Sequence, residues 1–180
     1  STINVTAVND APVVTAGATV GYTEQAAAVV IDNTITIADV DDTQISGATV
    51  TIGSPVAGDT LNFTDQNGIT GSYSGGVLTL SGTATKAQYE TALRSVTFSN
   101  ASSDDPTVNN TRTSRTVTWA VTDANSDNVG AQTSTGVTST INVTAVNDAP
   151  VVTAGATVGY TEQAAAVVID NTITIADVDD

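Results

Sequence analysis

Apolar and polar side chains alternate with a period of two over most of this chain, the pattern of strands that bury one face and wet the other. Val117, Trp119 and Val121 share one side of such a strand, with Thr116, Thr118 and Thr122 on the other. Trp119 is thereby assigned to the core. Ile3, Val5 and Ala7 mark a second strand, copied at Ile141, Val143 and Ala145. Val29 and Ile31 lead through Asp32 and Asn33 to Ile35 and Ile37, which reads as strand, kink, strand. Val50 with Ile52, Leu61 with Phe63, and Leu78 with Leu80 give three shorter strands. Turn signals separate them: Gly53-Ser54-Pro55, Asp65-Gln66-Asn67-Gly68, Gly75-Gly76 and the polar stretch 100–111. Short strands with turns at this spacing predict an all-β sandwich.

One segment breaks the alternation. Thr85 and Gln88 have the spacing of a capping box, and Tyr89 and Leu93 then lie four apart with Ala92 beside them. The expectation is one short helix over residues 86–94, laid across an end of the sandwich.

Residues 1–42 recur letter for letter as residues 139–180, an offset of 138. A period that long is a whole domain, not one turn of a solenoid. Pro12 and Pro150 each follow Val-Asn-Asp-Ala, and proline stops a strand and stiffens a short connection. The expected division is residues 1–10 as the last strand of a preceding bead, 11–148 as one complete bead, and 149–180 as the opening strands of the next. Both end pieces would then lack a partner sheet and fray. They are complementary parts of one bead, so head-to-tail association between chains is an expected partnership, alongside neighbouring identical repeats.

Composition narrows the function. Four basic residues, Lys86, Arg94, Arg112 and Arg115, stand against 19 acidic ones, for a net charge of −15. Nucleic acid and anionic membranes repel such a chain. Cys, His and Met are absent, which removes thiol and imidazole catalysis and the usual zinc and copper ligands. Oxygen ligands remain, and they suit a hard cation such as calcium. No run of 18 apolar residues crosses a bilayer. No nucleophile has an evident base and no acid pair stands out, so no enzyme is expected.

Acidic and amide residues bunch at strand ends: Glu24; Asp39, Asp41 and Asp42; Asp123 to Asp127; and Asn9-Asp10 with its copy Asn147-Asp148. Asp65 to Gly68 reads as a hairpin turn, and Asp104-Asp105-Pro106 as loop chemistry. With the early Glu24, the Ala-Asp-Val-Asp-Asp strand end, the Trp119-Ala-Val-Thr-Asp strand and the closing Val-Asn-Asp-Ala-Pro, the unit resembles the bacterial cadherin-like domains that stand in tandem in giant RTX-type adhesins and surface proteins.

The resemblance covers essentially the whole 138-residue unit. It implies a Greek-key, cadherin/Ig-like β-sandwich with Ca2+ at the joints between beads. Carried over by residue, Glu24 is the early acidic ligand, Asn147 and Asp148 the linker ligands, and Asp177 and Asp179 the Asp-x-Asp pair of the next bead. At the upstream joint Asn9, Asp10, Asp39, Asp41 and Asp123 hold those places. Strand periodicity independently sets Asp39 and Asp41 on one side. The unit departs from animal cadherins at Ala7 and Ala145, where a linker Asp would stand, and lacks an Asp-Arg-Glu triplet, with only Glu90 acidic near its place. Fewer or weaker ions per joint are therefore expected. The implied role is a secreted or cell-surface extender repeat. The alternative is a subunit of an extracellular filament, sheath or surface layer built by strand exchange.

Overall fold

A computed structural model describes residues 1–126 and 128–179; Asp127 and Asp180, both within acidic stretches noted above, lie outside the described residues. The strands are β1 (Val13–Thr15), β2 (Thr19–Thr23), β3 (Val29–Val30), β4 (Thr36–Ala38), β5 (Gln44–Ile52), β6 (Thr60–Asn62), β7 (Thr70–Ser74) and β8 (Val77–Thr85). Helix α1 (Lys86–Arg94) follows, then β9 (Thr97–Ser99), β10 (Ser114–Asp123), β11 (Val137–Thr144), β12 (Val151–Thr153) and β13 (Thr174–Ala176).

The fold is an all-β sandwich. A six-stranded sheet in the order β2-β11-β10-β5-β8-β7 packs against a three-stranded one, β3-β9-β6, with β1 and β4 paired at the side. Strands distant in sequence lie side by side, and the connections cross between sheets as in a Greek key. The sheets meet in one apolar cluster centred on Trp119, Phe98, Leu61, Leu80 and Ile45, all at most 2% exposed. Tyr22 and Phe98 meet edge to face with ring centroids 5.1 Å apart, bridging β2 and β9. The buried apolar residues all fall between Val14 and Val143.

The period-two reading holds where strands are long. In β10 the buried side chains are Arg115, Val117, Trp119, Val121 and Asp123, every second residue. This face opens and closes on a charge, which matters below. At Gly75-Gly76 both residues have positive φ (58° and 86°), the two-residue turn that joins β7 to β8 in a tight hairpin. Asn67 and Gly68 form a similar turn closed by two Gln66–Ile69 backbone bonds, but it carries the chain from the β6 sheet to the β7 sheet.

The helix forms as its sequence predicts. Thr85 accepts from the Gln88 N–H, and the Gln88 side chain accepts from the Thr85 N–H, completing a capping box. Tyr89, Ala92 and Leu93 face the core. The polar side lies along β4, whose outer edge has no strand. Glu90 Oε1 accepts from the Ile37 N–H at 2.9 Å, and Arg94 Nε donates to the Ile35 carbonyl at 2.7 Å. Two side chains thus satisfy an edge that would otherwise present free backbone groups.

The duplicated segments show what the rest of a bead contributes. Residues 139–144 lie within β11, whereas the identical residues 1–6 form no strand and leave Ile3 and Val5 more than 85% exposed. Residues 1–10, expected as a strand, have no ladder to join. In the tail, β12 and β13 repeat the β1–β4 register, Val151 opposite Ala176 as Val13 is opposite Ala38. Asp170 accepts from the Gly155, Ala156 and Thr172 N–H groups just as Asp32 accepts from Gly17, Ala18 and Thr34. The strand pair keeps its register without a second sheet over it. Its apolar face stays bare: Val152 and Ile175 are 61% and 71% exposed, against 4% and 7% for Val14 and Ile37.

Candidate functional site

The bead buries charge at both ends of β10, and the two ends are built differently. At the Arg115 end, Nε donates to Asp59 Oδ2 at 2.6 Å with both side chains fully buried. Asn100 Nδ2 donates to Asp59 Oδ1, and the Arg115 guanidinium also reaches the carbonyls of Pro106, Arg112 and Ser114. A buried carboxylate is here matched by a buried cation, as desolvation requires.

At the Asp123 end no such match exists. The inward alternation of β10 carries Asp123 to the edge of the core, where a register shift between Thr122 and Asp123 sets Asp123 opposite Ile45 of β5. Its Oδ2 accepts from Gln132 N and from Asn9 Nδ2, both at 2.9 Å, and its Oδ1 from Asn125 N. Asp39 Oδ1 accepts from the N–H of Asp41 and Asp42, and Asp42 Oδ1 accepts from the Ser126 N–H and hydroxyl. Carboxylate oxygens of Asp39, Asp42 and Asp123 lie within 4.8 Å of one another. Asp39 Oδ2, Asp42 Oδ2 and Asn9 Oδ1 are buried without a hydrogen-bond partner. Each side chain is anchored through one atom, leaving a second oxygen desolvated beside like charge. Burial pushes the Asp39 carboxyl above its usual range, with the neighbouring Asp41 carboxylate adding to the effect.

A second cluster stands at the opposite end, where the chain leaves the bead. Glu24, just past β2, Asp104 from the β9–β10 loop and Asp148 from the linker bring carboxylate oxygens within 4.8 Å. Glu24 is buried; its Oε2 accepts from the Val146 N–H at 2.7 Å and its Oε1 has no partner. Gln25 Nε2 donates to Asp104 Oδ1 at 3.0 Å. The linker is tied to the following segment, because the Asp148 N–H donates to Asp179 Oδ2 at 2.9 Å, repeating the bond of Asp10 N–H to Asp41 Oδ2.

Among the described residues no arginine or lysine forms an ion pair with a carboxylate of either cluster; the ion pairs are Arg94–Glu90 and Arg115–Asp59. Arg112 donates to the Ser54 carbonyl, and Lys86 Nζ to the carbonyls of Asp39 and Asp42 at 2.7 Å each. Buried, unpartnered oxygens beside uncompensated carboxylates are the donor set of a hard metal ion. These acidic groups could hold one at each end of the bead.

The chain is similar to halomucin of Haloquadratum walsbyi. The two are 37% identical over 106 residues, which cover 54% of this chain but 1% of halomucin. The chain therefore spans a very small part of that relative. No protein-family model matches the chain, and no solved structure matches it.

Of the residues singled out by sequence, Asn9, Asp39 and Asp123 meet at the upstream end, and Glu24 and Asp148 at the downstream end. Asp41 does not join its cluster. β4 stops at Ala38, and the turn closed by Asp39 Oδ1 swings Asp41 outward, where it is exposed and its carboxylate, held below its usual range by the Asp10 N–H, binds the linker backbone. Asp42 takes the inward place. Asp10 and Asn147 have exposed side chains; Asp10 contributes its backbone, and Asn147 Nδ2 donates to the Asp148 carbonyl. Asp179 binds the linker, and Asp177 is half-buried beside it in sequence. Asp104 and Asp42 were the ligand-type residues that spacing missed. A strand-period argument fails at a turn, and nothing in a loop sequence signals which Asp will meet a distant Glu.

Proposed function

We propose that the chain is part of a tandem array of cadherin-like beads in a large secreted or surface protein. In this reading each 138-residue unit is a non-catalytic extender, and calcium at the joints turns a hinged string into a stiff rod. The carrying observation is the contrast within one bead. Asp59 is buried in an ion pair with Arg115, whereas Asp42, Asp123 and Glu24 are buried without an ion pair. An external cation completes that arrangement, and both clusters recruit linker residues, so binding would restrain one bead relative to the next. Similarity to part of a protein as long as halomucin supports membership of a giant repeat protein, and a net charge of −15 suits life outside the cell. Among the described residues no helix is long and apolar enough to cross a membrane.

The test uses two consecutive complete units. Millimolar calcium is expected to raise the melting temperature and lengthen the particle in small-angle scattering relative to EDTA. Identical melts and identical profiles in the two buffers overturn the reading.

A filament subunit is the second reading, favoured by the bare face of the tail. Residues 1–6 have the sequence of the strand that pairs in parallel with β2, and residues 157–161 have the sequence of β2. Strand exchange between copies would cover both. Fibres in electron micrographs favour this reading; separate particles at all concentrations reject it.

A further inference from the structure

We propose that Lys86 is a built-in counter-cation for the upstream acidic cluster, a positioning residue that holds the Asp39–Asp42 turn in its ion-binding shape and sets how far the bead depends on a bound metal. The inference rests on the reading that Asp39, Asp42 and Asp123 hold a cation.

Lys86 is the chain's single lysine and the first residue of α1. A cation at that position opposes the helix dipole, so helix formation gives no reason for it. Its ammonium donates to the carbonyls of Asp39 and of Asp42, both at 2.7 Å, gripping the turn at its two ends from behind. The backbone adds a third tie, from the Lys86 N–H to the Thr43 carbonyl. In the same turn, Asp39 Oδ2 and Asp42 Oδ2 are buried without partners, the two carboxylates belong to the cluster, and Asp42 is 2% exposed. That buried, unpartnered oxygen is independent of the clustering itself.

The ammonium forms no ion pair with these carboxylates within 4.0 Å. It acts through the backbone and through its field, and it leaves the carboxylate side clear. A metal ion can therefore enter without displacing it. Lysine suits this task because a compact point charge with three donors can serve two carbonyls at once. Without metal, Lys86 is the nearest compensation for three crowded carboxylates. With metal bound, the ion supplies most of that compensation and Lys86 matters less.

The experiment compares Lys86→Met, which keeps the apolar stem, and Lys86→Arg, which keeps the charge, in the whole chain by thermal melts in EDTA and in saturating calcium. Lys86→Gln replaces Lys86→Met if the latter does not fold. Loss of the charge is expected to lower the melting temperature by about 4–8 °C in EDTA and by less than half of that in calcium, and Lys86→Arg by under about 2 °C. In EDTA, an Asp42→Asn background should remove at least half of the Lys86→Met loss. Additivity of the two substitutions in EDTA overturns the proposal whatever calcium does. So does a Lys86→Met loss unchanged by calcium in a protein that otherwise responds to it. A wild type blind to calcium, with the Asp42 coupling intact, instead rejects the joint ion and leaves the counter-cation role standing.

Discussion

Substituting Asp42 by Asn should change the stability of the bead in opposite directions with and without metal. Asp42 Oδ1 is held by the Ser126 N–H and hydroxyl, bonds that an Asn carbonyl oxygen can accept equally well. Its Oδ2 is buried without a partner, and its carboxylate comes within 4.8 Å of those of Asp39 and Asp123. Two unit charges at that distance repel by about 3.5 kcal/mol at an effective dielectric of about 20. Asp39 is only half-buried, Lys86 lies behind the turn and salt screens the rest, so roughly a third of the summed repulsion survives. Replacing Oδ2 by an amide that donates to a neighbouring carboxylate should then stabilise the metal-free bead by about 2 kcal/mol, or about 6 °C for a domain of this size. In saturating calcium the same change removes a charged ligand, and the affinity should fall about tenfold or more, ~1.4 kcal/mol. Scanning calorimetry of both proteins in EDTA and in calcium reads both signs. An Asp42→Asn protein less stable than wild type in EDTA would refute the reasoning, since Asp42 would then be an ordinary turn-former and the cluster no site of repulsion.

At the other end, Glu24→Gln and Asp104→Asn should each weaken ion binding at the linker by about tenfold while leaving the upstream site intact; titration calorimetry that still finds every ion with unchanged affinity rejects the downstream cluster. Gly82 has φ of +126°, and a Cβ there would stand 2.2 Å from the Gly68 carbonyl oxygen. Gly82→Ala should therefore cost about 2–3 kcal/mol in denaturant unfolding, and a neutral result would show that the β7–β8 approach is loose. Burial raises the Asp32 carboxyl, but the Thr34 hydroxyl and the N–H groups of Gly17, Ala18 and Thr34 outweigh it and hold the group well below its usual range. A lowered native value means that its stabilisation is present at neutral pH and is lost as the pH falls below about 4. The penalty of Asp32→Asn, about 3 kcal/mol at pH 7, should shrink steadily toward pH 2; an equal penalty at both ends contradicts the assignment.

Local rules carried much of the fold. Period two placed β10 and its Trp119, and the Thr85–Gln88 box placed α1 to the residue, because both signals are decided within one turn or one pleat. What the sequence hid was long-range. Arg115 sits in the inward phase of β10, yet its burial depends on Asp59, 56 residues away. Glu24, Asp104 and Asp148 converge from three segments that share no spacing rule. The alternation that set Asp41 on the side of Asp39 runs three residues past Ala38, where β4 ends. The Asx turn at Asp39 put Asp42 inside instead, and a turn that reverses one side chain is settled by hydrogen bonds no periodicity encodes.

In the tandem array proposed above, the Glu90 and Arg94 contacts along β4 would take on added weight. There, every unit carries strands that fit its neighbour as well as itself, and a receptive rim would invite the wrong chain segment to dock while the array folds. A helix laid on that rim closes it to strand addition, so adjacent copies can mature one beside another without trading parts along that border.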